Sequence, residues 1–169
     1  MFAIGETVVH DSDGICTVVE IGTLDMTHIS KERQYYTLIP FYNKGSKLFI
    51  PVDAAGSLRV AMDEKAVKKL LDALPEIEPL EIRDEKRREQ EYKAAIRSGD
   101  CKRVIQIIKT IYLRQEKRIK KGKKITEVDE RYFRMAEDKL YGEIALAMNM
   151  EKSEVLDFIK KHMKNNNSY

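Results

Sequence analysis

The sequence predicts an α+β fold in two domains, a small β domain followed by an all-helical one. Residues 1–61 contain short β-branched runs separated by turn signals, with no helical period between them. From residue 62 onward, apolar residues recur at helical spacing. The charge changes a little further along: residues 1–82 hold 8 Lys/Arg and 13 Asp/Glu, whereas residues 83–124 hold 16 and 6, a net charge of +10.

The first domain is predicted to be a strongly bent antiparallel barrel or sheet. Its predicted strands are residues 7–9, 15–21, 34–41, 47–52 and 58–61. Residues 11–14 form a turn in which Gly14 can adopt positive φ, and residues 43–46 have the composition of a hairpin turn. Short strands at such close spacing, without helices between them, are typical of small β-barrels.

A short connecting region is predicted next. Asp63 can cap a helix over residues 64–74, and Pro75 and Pro79 then mark a linker. The predicted boundaries are therefore 1–61 for the β domain, 62–82 for the helix and linker, and 83–169 for the helical domain.

Four helices are predicted in the last region. They cover residues 83–97, 101–121, 127–148 and 151–163, with Asp100 and Thr126 as caps and Gly122 as a helix end. The second of these helices is predicted to bury Val104, Ile107, Ile108, Ile111, Tyr112 and Ile119. The third is predicted to bury Tyr132, Met135, Ala136, Leu140, Ile144 and Ala147.

The helix predicted over residues 83–97 has one cationic side and one apolar side. On a helical wheel the cationic stripe comprises Arg83, Lys86, Arg87, Lys93 and Arg97. The opposite side comprises Tyr92, Ala95 and Ile96. Such a stripe is either a solvated basic face or a surface that contacts phosphates, and the absence of an acid within it favours the second interpretation.

A cationic loop follows the next helix. It consists of Lys120, Lys121, Gly122, Lys123 and Lys124. This loop is either simply solvated or lies along a phosphate backbone. Contacts of the second kind give an affinity that falls with salt and that discriminates little between bases. The basic residues therefore indicate duplex binding without recognition of a particular sequence.

Other function classes receive no support from the sequence. There is no apolar run of about 18 residues that could span a membrane, and the first residues lack an export signal, so a cytoplasmic protein is expected. His10, His28 and His162 are isolated, and no catalytic or phosphate-loop motif occurs. No metal, no cofactor and no enzymatic activity are therefore expected. Cys16 and Cys101 are expected to be reduced thiols.

Several short motifs occur in a recognisable order along the chain. In the first half these are Phe2-x-Ile-Gly-Glu-Thr-Val-Val-His, Gly14-Ile-Cys-x-Val, Tyr36-x-Leu and Phe49-Ile-Pro-Val52. In the second half they are Tyr92-Lys-Ala, Ser98-Gly-Asp100, Arg114-Gln-Glu-Lys and Leu140-x-Gly-Glu-Ile-Ala-Leu-Ala147. Together they resemble the CarD/CdnL bacterial transcription regulators, whose amino-terminal module also occurs in the transcription-repair coupling factor. The resemblance covers nearly the whole chain.

The resemblance implies a Tudor-like β domain that binds the β subunit of RNA polymerase by extending a sheet at an exposed strand edge. The matching positions are Leu24, Asp25, Met26, Lys47, Leu48 and Phe49. It also implies that the helical domain of a monomeric, nucleoid-associated protein touches promoter double-stranded DNA at the upstream edge of the transcription bubble. The family's basic DNA contacts map onto Arg87 and Arg88, although the wheel places Arg88 nearer the packed side.

Two positions depart from the family pattern. The chain has no tryptophan, and Glu85 stands where well-studied members carry a tryptophan wedge. Stabilisation of the bubble is therefore expected to be weaker, to use another residue such as Tyr92, or to depend on backbone contacts alone. Phe49 replaces an arginine that contacts the polymerase in some relatives.

The predicted function is a non-enzymatic bridge between RNA polymerase and promoter DNA that modulates open-complex stability. The alternative is a general RNA-binding protein whose β module binds another protein.

Overall fold

The computed structural model describes residues 1–27, 29 and 31–166. The chain divides into two compact units, Met1–Ala61 and Met62–Tyr169. Residues 62–82, for which a separate helix and linker are predicted, thus belong to the helical unit.

The first unit is an antiparallel sheet of short strands. The described strands are β1 (Thr7–His10), β2 (Gly14–Thr23), β3 (Gln34–Pro40), β4 (Leu48–Pro51) and β5 (Leu58–Val60). Each begins and ends within two residues of its predicted position. The fold class, a small Tudor-like β domain followed by helices, is confirmed.

A bulge in β2 bends this sheet. The pairing of β2 with β3 shifts register between Val18 and Glu20, and a bulge of this kind bends the strand and increases its twist. The amino-terminal segment is bonded at the same place, because Gly5 N–H donates to the Val18 carbonyl at 2.7 Å and Val18 N–H donates to the Glu6 carbonyl at 3.0 Å. The bent sheet encloses a small core of Val8, Cys16, Val18, Tyr36, Leu38 and Leu58.

Two strands lie at the edges of the sheet. The strand order is β4-β3-β2-β1-β5. Because β4 pairs only with β3 in this order, one side of its backbone faces away from the sheet. An exposed edge strand such as β4 is the element to which another chain can add a strand.

The second unit is a helical bundle. Its α-helices are α1 (Glu64–Asp72), α2 (Arg88–Arg97), α3 (Cys101–Lys120), α4 (Glu127–Met148) and α5 (Lys152–Asn166). Three of them start at the predicted caps. Asp63 accepts from the Ala66 N–H at 2.7 Å, Asp100 from Lys102 N–H at 2.8 Å and Thr126 from Asp129 N–H at 3.2 Å.

The segment between α1 and α2 packs on α3, which explains why it belongs to the helical unit. Ile77 is buried in the helical core. Leu80 N–H donates to Thr110 Oγ1 at 2.8 Å, and the ammonium group of Lys109 donates to the carbonyls of Leu74 and Ile77. Proline in a sequence marks the end of a helix, but it does not show whether the following segment is exposed.

Most of the predicted core residues are buried. These are Tyr92, Ala95 and Ile96 on α2, Val104, Ile107 and Ile111 on α3, and Tyr132, Ala136, Leu140 and Ile144 on α4. The prediction is wrong for Tyr112, Ile119 and Met135, which are 52%, 60% and 44% exposed. Ile119 lies beyond Ile111, the last buried residue of α3, whereas Tyr112 and Met135 directly adjoin the buried Ile111 and Ala136 and lie at the margin of the buried face.

Candidate functional site

The basic segment before α2 is not one continuous helix. Glu85–Arg87 form a 3-10 turn, and α2 begins at Arg88. Arg83 therefore lies outside the helix on which the cationic stripe is predicted. Its Nε donates to Glu81 Oε1 at 3.1 Å, although both side chains remain largely exposed.

Four cations of the predicted stripe are exposed. They are Lys86, Arg87, Lys93 and Arg97. Within the part of the chain that the structure describes, none of these side chains forms an ion pair. These four charges are therefore accessible to an external anion.

Arg88 differs from its neighbour Arg87. Its side chain is only 16% exposed, it pairs with Glu85, and its Nε lies 3.5 Å from Asp129 Oδ1. Internal carboxylates thus contact the guanidinium of Arg88 in this conformation, and the DNA contact of Arg88 stays a prediction. The helical wheel indicates this placement, whereas the mapping from the family does not.

Asp129 links three helices. The carboxylate has no exposed surface, and its Oδ2 accepts from Arg114 Nε at 2.8 Å while its Oδ1 accepts from the Tyr92 hydroxyl at 3.1 Å. Arg114 also donates from Nη1 to Glu85. Burial, followed by the charge of Asp129, raises the pKa of Tyr92. Tyr92, Arg88, Arg114 and Asp129 thus form an ionic cluster that joins α2, α3 and α4.

No clear signal in the sequence points to this cluster. The pattern of residues 126–129 indicates a capping box, but the carboxylate of Asp129 faces Arg114 and Tyr92, and only its N–H takes part in the cap. Arg114 stands out in the sequence only as part of a family motif. A charged residue at the helix start carries the same sequence signal whether it caps or is buried.

The cationic loop is an ordered helix end. Gly122 has φ of 70°, its N–H donates to the Ile119 carbonyl at 2.9 Å, and Lys123 N–H donates to the Arg118 carbonyl at 2.9 Å. These two bonds are those of a Schellman motif. Arg118 Nε also donates to the Lys124 carbonyl at 2.8 Å. The backbone is thus fixed, while the side chains of Lys120, Lys121, Lys123 and Lys124 are all exposed.

The structure brings part of the predicted site together. The ionic cluster ties the first turn of α2 to the first turn of α4, which directly follows the loop. Lys86, Arg87 and the four loop lysines therefore lie at one end of the helical unit, hereafter the cationic end. Arg97 lies at the other end of α2, roughly 15 Å along the helix at 1.5 Å per residue. Lys93 lies between them.

The positions predicted to bind polymerase lie beside the edge strand β4. Lys47 is exposed next to β4, Leu48 packs against the β core, and Phe49 is 38% exposed. Leu24, Asp25 and Met26 follow β2, near the end of β4 that contains Pro51, because Thr23 pairs with Gln34 and Tyr35 pairs with Pro51. Asp25 pairs with Lys31 at 3.3 Å. The first set thus begins β4, and the second lies near its other end.

The described histidines pair with carboxylates. His10 Nδ1 lies 2.8 Å from Asp13, and His162 Nε2 lies 2.7 Å from Asp72. His28 lies outside the described residues. Among residues 1–27, 29 and 31–166, no group of three or more His, Cys, Asp or Glu side chains is placed to hold a metal ion. Cys16 and Cys101 are not joined in a disulfide, and the Cys101 thiol donates to Glu143 Oε2 at 3.2 Å. No helix in the same ranges is long and apolar enough to cross a membrane.

Two family models match this chain, one for each unit. A model described as CarD-like/TRCF RID domain matches residues 2–62. A model described as CarD, C-terminal domain matches residues 69–160. No curated protein matches the chain.

Proposed function

The chain belongs to the CarD/CdnL family of RNA polymerase-interacting transcription factors, and from this membership we propose that it bridges the polymerase β subunit and promoter DNA. The β unit binds the polymerase, and the helical unit binds duplex DNA largely without regard to sequence. The bridge changes the stability of the open complex. The family acts through binding, and we propose no catalytic activity for this chain.

The cationic end is the observation that supports the DNA contact. Six exposed cations, Lys86, Arg87, Lys120, Lys121, Lys123 and Lys124, lie at one end of the helical unit on backbone that is held by hydrogen bonds. Lysines on a turn contact phosphates as point charges and carry little base information. This arrangement favours binding to the duplex backbone over readout of a sequence.

The edge strand β4 supports the polymerase contact. An extended segment of the polymerase adds to β4 through main-chain hydrogen bonds, and Phe49 packs on the added strand. Leu24, Asp25 and Met26 contact the partner beyond the Pro51 end of β4. Because Phe49 stands in place of a cation, this interface is more apolar than that of relatives with arginine there.

Stacking on the transcription bubble does not come from Tyr92. This side chain has no exposed surface, and its hydroxyl is bonded to Asp129. Glu85, at the position of the family's tryptophan, cannot stack on a base either. We therefore propose that stabilisation of the open complex by this chain depends mainly on phosphate contacts. We also propose that the chain acts in the cytoplasm, on the DNA of the nucleoid.

The experiment that tests the bridge measures the lifetime of an open complex formed by purified polymerase on a promoter. Three forms are compared with the native chain: Phe49→Ala; a triple variant of Lys121, Lys123 and Lys124 to Gln; and the combination. Tethering makes the second contact intramolecular, so that removing either contact abolishes most of the effect. We expect Phe49→Ala and the triple variant each to abolish most of the change in lifetime and the combination to be little worse.

The control for the strand edge is Val60→Ala. Val60 is 58% exposed on β5, the opposite edge of the sheet. Val60→Ala should leave the effect of the chain on the open-complex lifetime unchanged. If Phe49→Ala and the triple lysine variant changed the open-complex lifetime independently, so that their effects multiplied in the combination, a bridge would be contradicted. Stronger binding of an RNA hairpin than of duplex DNA would favour the RNA-binding alternative.

A further inference from the structure

A cleft in the helical unit lies beside the ionic cluster. It has a volume of about 290 Å³ and lies between α3 and the segment that leads into α2. One part of its wall is apolar, with Leu80, Ile82 and Leu113. The other part carries the cations Arg88, Arg114 and Lys117, together with Glu85. A small apolar cleft with a few fixed polar groups is the usual form of a small-ligand site.

The two arginines of the cleft are held in place from the inside. Arg114 is fixed by the buried Asp129 at 2.8 Å, and Arg88 lies between Asp129 and Glu85. The Nε–H of Arg88 is buried and has no hydrogen-bond partner among the described residues. Asp129 Oδ1 lies 3.5 Å from this atom, so the internal carboxylates satisfy the guanidinium of Arg88 only in part.

Glu85 closes this cluster from the solvent side. Its side chain is 64% exposed, yet its carboxylate contacts both Arg88 and Arg114. It lies in a short 3-10 turn, so it can leave the arginines without disturbing a helix. Once Glu85 leaves, Arg88, Arg114 and Lys117 face only the charge of Asp129, an excess of two positive charges that suits a phosphate group.

We propose that this cleft binds one nucleotide unit, with its phosphate on Arg88 and Arg114 and its base against Leu80 and Leu113, and that Glu85 is an internal carboxylate that the phosphate displaces. The inference deepens the proposed DNA contact and rests on it. Leu113 supports the base contact, because it is 43% exposed although it lines the cleft. Arginine forks match phosphate oxygens, and apolar platforms hold bases without reading their identity.

The first test compares Glu85→Gln with Glu81→Gln in the full chain. Both variants remove one exposed negative charge. Glu81, which is 75% exposed and pairs with Arg83, does not line the cleft. Calorimetry with AMP and with a short single-stranded oligonucleotide distinguishes a free nucleotide from one within a DNA strand.

We expect Glu85→Gln to raise the affinity for both ligands about three- to fivefold. This is the fold-change that corresponds to the free energy of one surface ion pair, which the ligand no longer has to break. Glu81→Gln should give a much smaller gain. Equal gains for the two variants would overturn the proposal, because the effect would then be one of general charge. No gain in affinity for either ligand with Glu85→Gln would also overturn it.

The second test examines the apolar wall. Leu113→Gln should weaken binding of AMP while leaving binding of inorganic phosphate unchanged, because only the base contacts this wall. Leu156→Gln is the control, since Leu156 is also 43% exposed but lies on α5. Equal weakening of AMP and of phosphate binding in Leu113→Gln would contradict the base contact.

AMP binding does not need a duplex, so the two proposals can fail separately. A chain that binds AMP but no duplex DNA would refute the proposed function and retain the cleft. A chain that binds duplex DNA, but in which neither Glu85→Gln nor Leu113→Gln acts as expected, would refute the proposed cleft and retain the proposed function.

Discussion

Asp129 shows how much depends on one buried carboxylate. Two arginines, Arg88 and Arg114, and the hydroxyl of Tyr92 surround it. A buried ion pair gains little over apolar residues of the same size, but removing one partner leaves uncompensated charge. The cluster therefore fixes the relative placement of three helices more than it adds stability.

We predict that Asp129→Asn lowers the free energy of unfolding by about 2–4 kcal/mol, below the upper range for a broken buried pair because both arginines keep some exposure to solvent. Asp138→Asn is the matched control. Its side chain is 76% exposed and pairs with Lys152 at 3.1 Å, so its removal should cost less than about 1 kcal/mol. Urea unfolding followed by circular dichroism measures both. Equal costs would mean that Asp129 is not the organising group.

Cys16 gives a pH-dependent prediction. Burial, aided by the charge of Asp13, raises the pKa of this thiol from 9.0 to about 11. Between these two values the unfolded chain has lost the thiol proton while the folded chain keeps it. The contribution of Cys16 to stability is therefore complete below pH 9 and falls as the pH rises toward 11.

The same burial should protect Cys16 from alkylation. At pH 10 we expect iodoacetamide to modify Cys16 in the folded chain at least about tenfold more slowly than in urea, because the thiolate is the reactive form. Peptide mass spectrometry separates Cys16 from the half-buried Cys101. Equal rates for Cys16 in the folded and unfolded chain would contradict its burial.

At the scale of single residues, the sequence distinguishes apolar from charged positions, and the helical wheel places Arg88 nearer the packed side, but the sequence does not identify the partners of a buried charge. Tyr92, Ala95 and Ile96 are buried as predicted. Arg87 and Arg88 are chemically identical neighbours, and their different surroundings depend on Glu85 and on the distant Asp129. Contacts across about 40 residues of chain leave no periodic signal.

At the scale of elements, the loop between α3 and α4 depends on one glycine. Gly122 has φ of 70°, and nothing lies within 4 Å of the position that a Cβ would occupy. A substitution there therefore costs backbone strain and causes no steric clash. The Schellman bonds that fix the lysine backbone require this conformation.

We predict that Gly122→Ala destabilises the helical unit by about 1–2 kcal/mol, the cost of a left-handed conformation for an L-residue. Gly122→Asn should cost less, since asparagine tolerates this conformation better. Thermal unfolding of both variants shows which of the two is the more stable. An alanine variant as stable as the asparagine variant would show that the turn relaxes into another conformation.

Helix ends and strands are the elements that the sequence predicts best. Asp63, Asp100 and Gly122 stand where local chemistry starts or ends a helix, and the structure uses all three. The sequence predicts a continuous helix from residue 83, whereas the structure has a 3-10 turn at Glu85–Arg87 before α2. This turn also begins at a local cap, because the Asp84 carboxylate accepts from Lys86 N–H at 2.9 Å.

At the scale of the whole molecule, the segregation of charge is the dominant feature. The net charge of +3 hides a segment, residues 83–124, with 16 cations and 6 acids. The structure gathers some of these cations at one end of a folded unit and neutralises others internally. The total charge alone therefore overstates how many phosphates the chain can contact.

We predict that changing Lys121, Lys123 and Lys124 to Gln weakens duplex binding and reduces the slope of log K against log salt by up to about 2.7, since each phosphate that is no longer neutralised lowers the slope by about 0.9. The control variant changes Lys65, Lys160 and Lys161 to Gln. These are exposed lysines of α1 and α5, helices that carry none of the residues of the cationic end. Fluorescence anisotropy at several salt concentrations measures the slope. An equal reduction in the control would show that the chain binds through its total charge.

The short length of the outer strand β4 also matters outside the proposed complex. In the proposed complex with RNA polymerase, an added strand covers the free row of amides and carbonyls of β4, whereas a chain outside the complex leaves this row uncovered. Because β4 has 4 residues, the uncovered row is short, and a short row limits pairing with a wrong partner.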